Sequence, residues 1–192
     1  MSIMIRALIL LGAFTLTACT TSPTQSTLPI ADDAAVRQLD SGAIRGFINA
    51  AGGHSWLGIP YAAPPVGERR WRAPLAPEGW TQQRDALRAG SPCIQYGSPL
   101  GGVGTAGTRQ GAEDCLYLNV YSPRLDATAA RDARLPVMVW IHGGGNTIGS
   151  GAEYVGANLA TRHNLVVVTI NYRLGPFGWF AHPALASGDP AN

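Results

Sequence analysis

The stretch with most chemical promise in these 192 residues is His142-Gly-Gly-Gly145, which ends the apolar run Val137-Met-Val-Trp-Ile141. A glycine triplet that follows a buried-type strand and opens a loop lets main-chain N–H groups turn toward a reacting oxygen with no Cβ atoms in the way. Donors placed in this manner stabilise the oxyanion formed when a carbonyl is attacked, each by about 3 kcal/mol of transition-state energy. On the tetrapeptide alone, a flexible connector fits equally well. Such chemistry also needs a nucleophile, and its recognisable form is a serine on a Gly-x-Ser-x-Gly elbow. No serine from Ser2 to Ser187 has glycine two positions before and two after; the nearest pattern, Gly145-Asn-Thr-Ile-Gly149, has threonine at its centre.

A second glycine pattern, Gly102-Val-Gly-Thr-Ala-Gly107, has the spacing of a dinucleotide-binding fingerprint. That fingerprint works only between a strand and a helix whose N-terminus meets the pyrophosphate. Here it follows Tyr96-Gly-Ser-Pro-Leu100 and lies between two cysteines, so no cofactor is expected. The fourteen basic residues are all arginine and are scattered against twelve acidic ones, with only Arg69, Arg70 and Arg72 clustered beside Glu68. A nucleic-acid surface needs a basic face, so that class of partner is excluded.

The N-terminus sets an expected compartment. Arg6 precedes a ten-residue apolar run, Ala7 to Leu16, which is too short to span a bilayer. Leu16-Thr-Ala-Cys19 resembles the lipobox at which bacterial lipoproteins are cleaved and acylated on the new N-terminal cysteine, and Thr20-Thr-Ser-Pro-Thr-Gln-Ser-Thr27 reads as a tether. Several acyl chains on Cys19 give stable attachment where one is marginal. The expected organisation is a signal peptide over 1–18, a flexible tether over 19–33 and a domain over 34–192, exported and membrane-anchored at a bacterial cell envelope. An ordinary secretory signal, and a secreted or periplasmic protein, is the alternative. With Cys19 lipidated, Cys93 and Cys115 remain in an oxidising compartment, where two remaining cysteines most simply pair. A metal site is the weaker reading, since no histidine lies at ligand spacing from either cysteine.

The elements that must position these residues follow from periodicity. Val36–Asp40 and Ala43–Ile48 flank a Ser41-Gly42 turn as in a hairpin, and Ser55–Tyr61 is a third strand. Residues 62–90, with Pro64, Pro65, Pro74, Pro77, Trp71 and Trp80, read as irregular surface chain pinned by aromatics, and the glycines between 97 and 111 as a mobile loop. Leu116–Tyr121 alternates with period two, so one face is apolar and the other can meet polar surroundings. Val137–Ile141 and Leu165–Ile170, separated by a helix near Ala157–Arg162, are continuous apolar runs that predict central strands covered on both faces.

Together these stretches resemble the type-B carboxylesterases, relatives of the cholinesterases in the α/β-hydrolase superfamily. The matches run in family order: Gly58-Ile-Pro-Tyr-Ala-Ala-Pro-Pro-Val-Gly67 with Arg70-Trp71, Glu113-Asp-Cys-Leu-Tyr-Leu-Asn-Val-Tyr-Ser-Pro123, Val137 to Gly151, and Asn171-Tyr-Arg-Leu-Gly175. The resemblance implies an α/β fold: the N-terminal part of an α/β hydrolase, with a mixed, mostly parallel central sheet, an N-terminal antiparallel hairpin and an incomplete sheet. It implies a disulfide between Cys93 and Cys115, a salt bridge between Arg70 and Glu113, and an oxyanion hole at Gly144 and Gly145, with His142 shaping the loop. Asn146 stands where many relatives carry an aromatic residue that lines the acyl pocket. The family's triad of serine, acid and histidine is absent, and its elbow lies downstream of the Asn-Tyr-Arg-Leu-Gly segment. The chain is therefore expected to be an N-terminal portion, inactive alone and, with an open apolar sheet edge, poorly soluble or partly molten. In full-length form the resemblance implies a serine esterase acting on a small-molecule ester, without metal or cofactor. A non-catalytic binding module on the same scaffold is the alternative.

Overall fold

The computed structural model describes residues 28–186. The expected signal segment and Cys19 lie outside them. A hairpin opens the domain: β1 (Ala31–Leu39) pairs antiparallel with β2 (Gly42–Ile48), Leu39 opposite Gly42. Next comes β3 (His54–Pro60), antiparallel to β2. Trp56 of β3 is buried, and its indole Nε1–H donates to Ala35 O at 2.7 Å, which locks the third strand under the hairpin. The proline-rich segment that follows is irregular, as expected, apart from a 3₁₀ turn at Gly67–Arg69 and the short β4 (Arg84–Asp85), which lies parallel to β2.

Two short strands, β5 (Gln95–Tyr96) and β6 (Arg109–Gln110), pair antiparallel and close the glycine-rich loop into a ladder of its own. Gly97 N–H donates to Thr108 O at 3.0 Å and Gly107 N–H to Gly97 O at 2.9 Å, so the loop carries internal hydrogen bonds. Then follow β7 (Tyr117–Ser122), α1 (Ala127–Asp132), β8 (Val137–Ile141), α2 (Ala157–His163), β9 (Val166–Ile170), α3 (Pro176–Trp179) and α4 (Pro183–Ala186). The Asp126 carboxylate caps α1 by accepting from Ala129 N–H at 2.8 Å, and Asn164, in the left-handed region at φ 50°, ends α2.

The main sheet runs β1-β2-β3-β7-β9-β8. The mixed sheet and its N-terminal antiparallel hairpin are as expected. Among the described strands of this sheet, parallel pairing joins β8 with β9 and β4 with β2, and the other ladders are antiparallel. Buried side chains gather in three groups: Ala35, Ile44, Trp56, Ile59 and Ala86 under the hairpin; Ala62, Cys93, Cys115, Leu116 and Leu174 beneath the loops; and Tyr121, Ala157, Ala160 and Val167 where α2 lies on the sheet. Full burial of side chains such as Val167 and Leu174 stabilises by roughly 1.5–3 kcal/mol each.

On β7 the polar member of the alternation meets its polar partners inside the molecule: Asn119 is buried, its Nδ2 donating to Thr169 Oγ1 at 3.1 Å and its Oδ1 accepting from Gly58 N–H at 3.1 Å. It is tolerated inside because its amide is paired on both ends. β9 is central, with Val167 and Thr169 buried, whereas β8, expected as a strand covered on both faces, ends the sheet among the described residues: Val137, Val139, Trp140 and Ile141 are 62%, 56%, 41% and 64% exposed. This is the open apolar edge expected of an incomplete sheet.

An exposed hydrophobic edge invites pairing with another chain. The 192-residue chain expressed alone is therefore expected to self-associate through β8, and Val139→Lys to shift it toward monomer in analytical ultracentrifugation. A wild-type chain that is monomeric with a sharp thermal transition counts against this.

Candidate active-site loop

β8 delivers the chain to His142, and from there to Ser150 the backbone is irregular. His142 is 3% exposed, while Gly143 to Thr147 are exposed. The imidazole acts as the loop's floor. Its Nδ1 lies 2.8 Å from Gly143 O, which can only accept, so Nδ1 carries the proton. Tyr172 stacks on the ring with centroids 4.4 Å apart, and its hydroxyl donates to His142 O at 2.7 Å. Burial raises the Tyr172 pKa, which keeps that hydroxyl a donor. His142 is thus packed under the loop and bonded to its backbone.

The glycines do specific work at two positions. Gly144 has φ 112°, and a Cβ on it would overlap the carbonyl oxygen of Ile148. The Gly144 carbonyl accepts from Thr147 N–H at 3.1 Å, Ile148 N–H at 3.2 Å and Thr147 Oγ1 at 2.9 Å. That carbonyl shares a planar peptide with the N–H of Gly145, so three donors on one side fix the N–H on the other. Gly149, at φ 114°, passes so close to the His142 ring that a Cβ would strike it. Gly143 differs, for a Cβ there meets nothing within 4 Å. Among the described residues, neither Gly144 N–H nor Gly145 N–H donates to another group of the chain.

The segment after β9 grips the loop from below. Asn171, 4% exposed, accepts on Oδ1 from Gly151 N–H at 2.8 Å and Ser150 Oγ at 3.2 Å, and donates from Nδ2 to Ser91 O at 3.0 Å. Gly175 N–H donates to Asn146 O at 2.6 Å, and Gly175 itself adopts φ 52°, ψ −140°, a region open in practice only to glycine. Asn146 is left-handed at φ 59°, a conformation asparagine adopts more readily than an aromatic residue does. Asn171, Tyr172 and Gly175 therefore hold the loop at three points. The sequence had displayed them as part of a motif without disclosing this task.

Cys93 and Cys115 are joined in a disulfide that closes a 22-residue separation. A loop of that size stabilises by about 3 kcal/mol in the chain-entropy account. Beside it, Arg70 Nε and Nη2 meet the two Glu113 oxygens at 2.6 and 2.7 Å, a two-pronged pair that raises the Arg70 pKa. Between the arginines, Trp71 sits at φ 59° with its indole Nε1–H on Pro176 O at 2.8 Å, so the ion pair anchors the chain that follows Gly175. Gln95, which sequence patterning passed over, is 3% exposed and bonded to Gly149. A lone glutamine two residues after a cysteine carries no signal by type or spacing.

The sequence profile of the carboxylesterase family matches residues 33–188. The chain belongs to that family. It is 45% identical over 161 residues to the fumonisin B1 esterase of Sphingopyxis macrogoltabida, covering 83% of this chain and 28% of that protein. It is 49% identical over 130 residues to the para-nitrobenzyl esterase of Bacillus subtilis strain 168, covering 67% of this chain and 25% of that one. A solved structure of a PNB esterase superposes with a TM-score of 0.68 at 42% identity, over 79% of this chain and 30% of that one. These are α/β-hydrolase esterases, and this carboxylesterase chain spans about a quarter of their length.

The contrast between adjacent glycines is testable. Gly143→Ala is expected to leave stability within about 0.5 kcal/mol, whereas Gly144→Ala, forced to φ 112° against Ile148 O, costs about 2 kcal/mol or more in denaturant unfolding. Equal costs at the two positions would contradict the assigned geometry.

Proposed function

We propose that in its full-length form this carboxylesterase hydrolyses a small-molecule carboxylic ester through an acyl-serine intermediate, with Gly144 and Gly145 donating their N–H groups to the tetrahedral oxyanion. The observation that carries this reading is the pair of N–H groups on the exposed Gly144 and Gly145 that, among the described residues, donate to no other group of the chain. A pure recognition module has no use for two adjacent free donors, whereas an acyl-transfer site does. The nucleophile, its histidine and the orienting acid are assigned to no residue of this chain, since no Gly-x-Ser-x-Gly elbow occurs in it. By itself the chain is expected to hydrolyse nothing. The similar fumonisin B1 and para-nitrobenzyl esterases support an ester as substrate and leave the acyl and alcohol groups open.

The test is a fusion of this chain to the remainder of the B. subtilis para-nitrobenzyl esterase, assayed for release of p-nitrophenol from p-nitrophenyl acetate. Activity well above that of the same fusion lacking its elbow serine is expected. A fusion that unfolds cooperatively, contains the disulfide and yet shows no such excess sinks the reading.

We propose further that the protein is exported and held at a bacterial membrane by acylation of Cys19. The Leu16-Thr-Ala-Cys19 segment supports this. The Cys93–Cys115 disulfide suits the oxidising side of such a membrane. Labelled palmitate supplied to expressing cells should enter the protein and be lost in Cys19→Ser; incorporation unaffected by that change would overturn the assignment.

A further inference from the structure

We propose that Gln95 is a positioning residue for ester hydrolysis, a clasp through which the disulfide-closed loop holds the Gly144–Gly145 donors in place; this rests on the ester-hydrolase reading above. Gln95 lies in β5, two residues after Cys93, and only 3% of it is exposed. Its primary amide is used to capacity. Oε1 accepts from Gly149 N–H at 2.8 Å and from Val103 N–H at 3.3 Å. Nε2 donates to Gly149 O at 2.9 Å and to Cys93 O at 3.1 Å. The orientation of the amide follows from these partners, because two N–H groups require the oxygen and two carbonyls require the nitrogen.

Both polar groups of the Gly149 backbone are thus taken by one side chain, much as a neighbouring strand would take them. Gly149 follows Ile148, whose N–H is one of the donors that fix the Gly144 carbonyl and, through the planar peptide, the Gly145 N–H. The glycine-rich loop presses on the same point: a Cβ on Gly102 would come within 2.9 Å of Ile148 Cβ and 3.0 Å of Gln95 Oε1. Asn171, Tyr172 and Gly175 hold the loop at Gly151, His142 and Asn146, which leaves the stretch from Thr147 to Gly149 dependent on Gln95 for its outer support. Loss of the clasp would let Ile148 and Gly149 relax, and the Gly145 N–H would lose its aim while substrate binding elsewhere is unaffected. The signature of that defect is a fall in kcat with KM preserved.

The test uses the full-length fusion with Gln95→Met and Gln95→Glu, following kcat and KM for p-nitrophenyl acetate from pH 6 to 9 together with the thermal transition. Gln95→Met removes all four hydrogen bonds at similar length, and kcat is expected to fall about 10- to 100-fold with KM within about threefold. Gln95→Glu keeps the acceptor but sets a second carboxylate oxygen against two carbonyls. Its kcat relative to wild type is expected to rise as pH falls, because the protonated acid regains a donor, whereas the methionine variant shows a flat ratio. Methionine kcat within about twofold of wild type, or the same pH dependence of the ratio in both variants, overturns the proposal. Loss of the cooperative transition in both variants also overturns it, leaving Gln95 a purely structural residue. An inactive wild-type fusion removes the ester-hydrolase reading and this one together, whereas an active wild type with an equally active Gln95→Met removes this one alone.

Discussion

A backbone N–H group can stand unpaired in a fixed direction only if other bonds hold its peptide plane. A loop without side chains at its turning points is otherwise the most entropically costly segment to hold still. In this chain the planar peptide between Gly144 and Gly145 meets that constraint for the Gly145 N–H. Its carbonyl is fixed by Thr147 and Ile148, and its N–H is fixed as a consequence. Glycine at 144 is required because φ 112° and the approach of Ile148 O leave no place for a Cβ.

The rest of the structure can be understood as support for that peptide. The sheet places the end of β8 beside the end of β9, because the two strands run parallel and in register from Val137–Val166 to Ile141–Ile170. Parallel neighbours release their chains on the same side, so the residues that leave β9 are immediately beneath the loop that leaves β8. From there a buried amide, a phenol and a glycine N–H satisfy the loop's carbonyls and amides. The disulfide and the Arg70–Glu113 pair fasten the neighbouring segments, which lie outside the main sheet. Ion pairing at that partly exposed site contributes geometry more than energy.

Hydrophobic pattern made the strands legible because it records which residues can be buried. Val137–Ile141 has the expected bounds and β2, β3, β7 and β9 lie within a residue or so of them, whereas β1 starts at Ala31, five residues before the expected Val36 and within the expected tether. The same pattern said nothing of neighbours. It did not tell that β8 ends the described sheet beside β9, or that the polar partner of Asn119 is a cross-strand threonine inside the core. α1 went unread because its helical signal is a single cap, Asp126, on a turn and a half of alanine-rich chain.

By itself the sequence determined which backbone could turn inward. Glycines at 144, 145, 149 and 175 and an asparagine at 146 permit left-handed conformations locally, and local permission is written in residue type. It also determined which cysteines, charges and motif residues were available to be joined. Only the tertiary structure decided that Gln95, more than fifty residues upstream in the chain, would occupy both hydrogen-bonding groups of Gly149, and that Tyr172 would stack under His142. The physical reason is that a hydrogen bond depends on distance and direction between groups that the sheet brings together, and neither quantity is a property of one residue or of its neighbours along the chain.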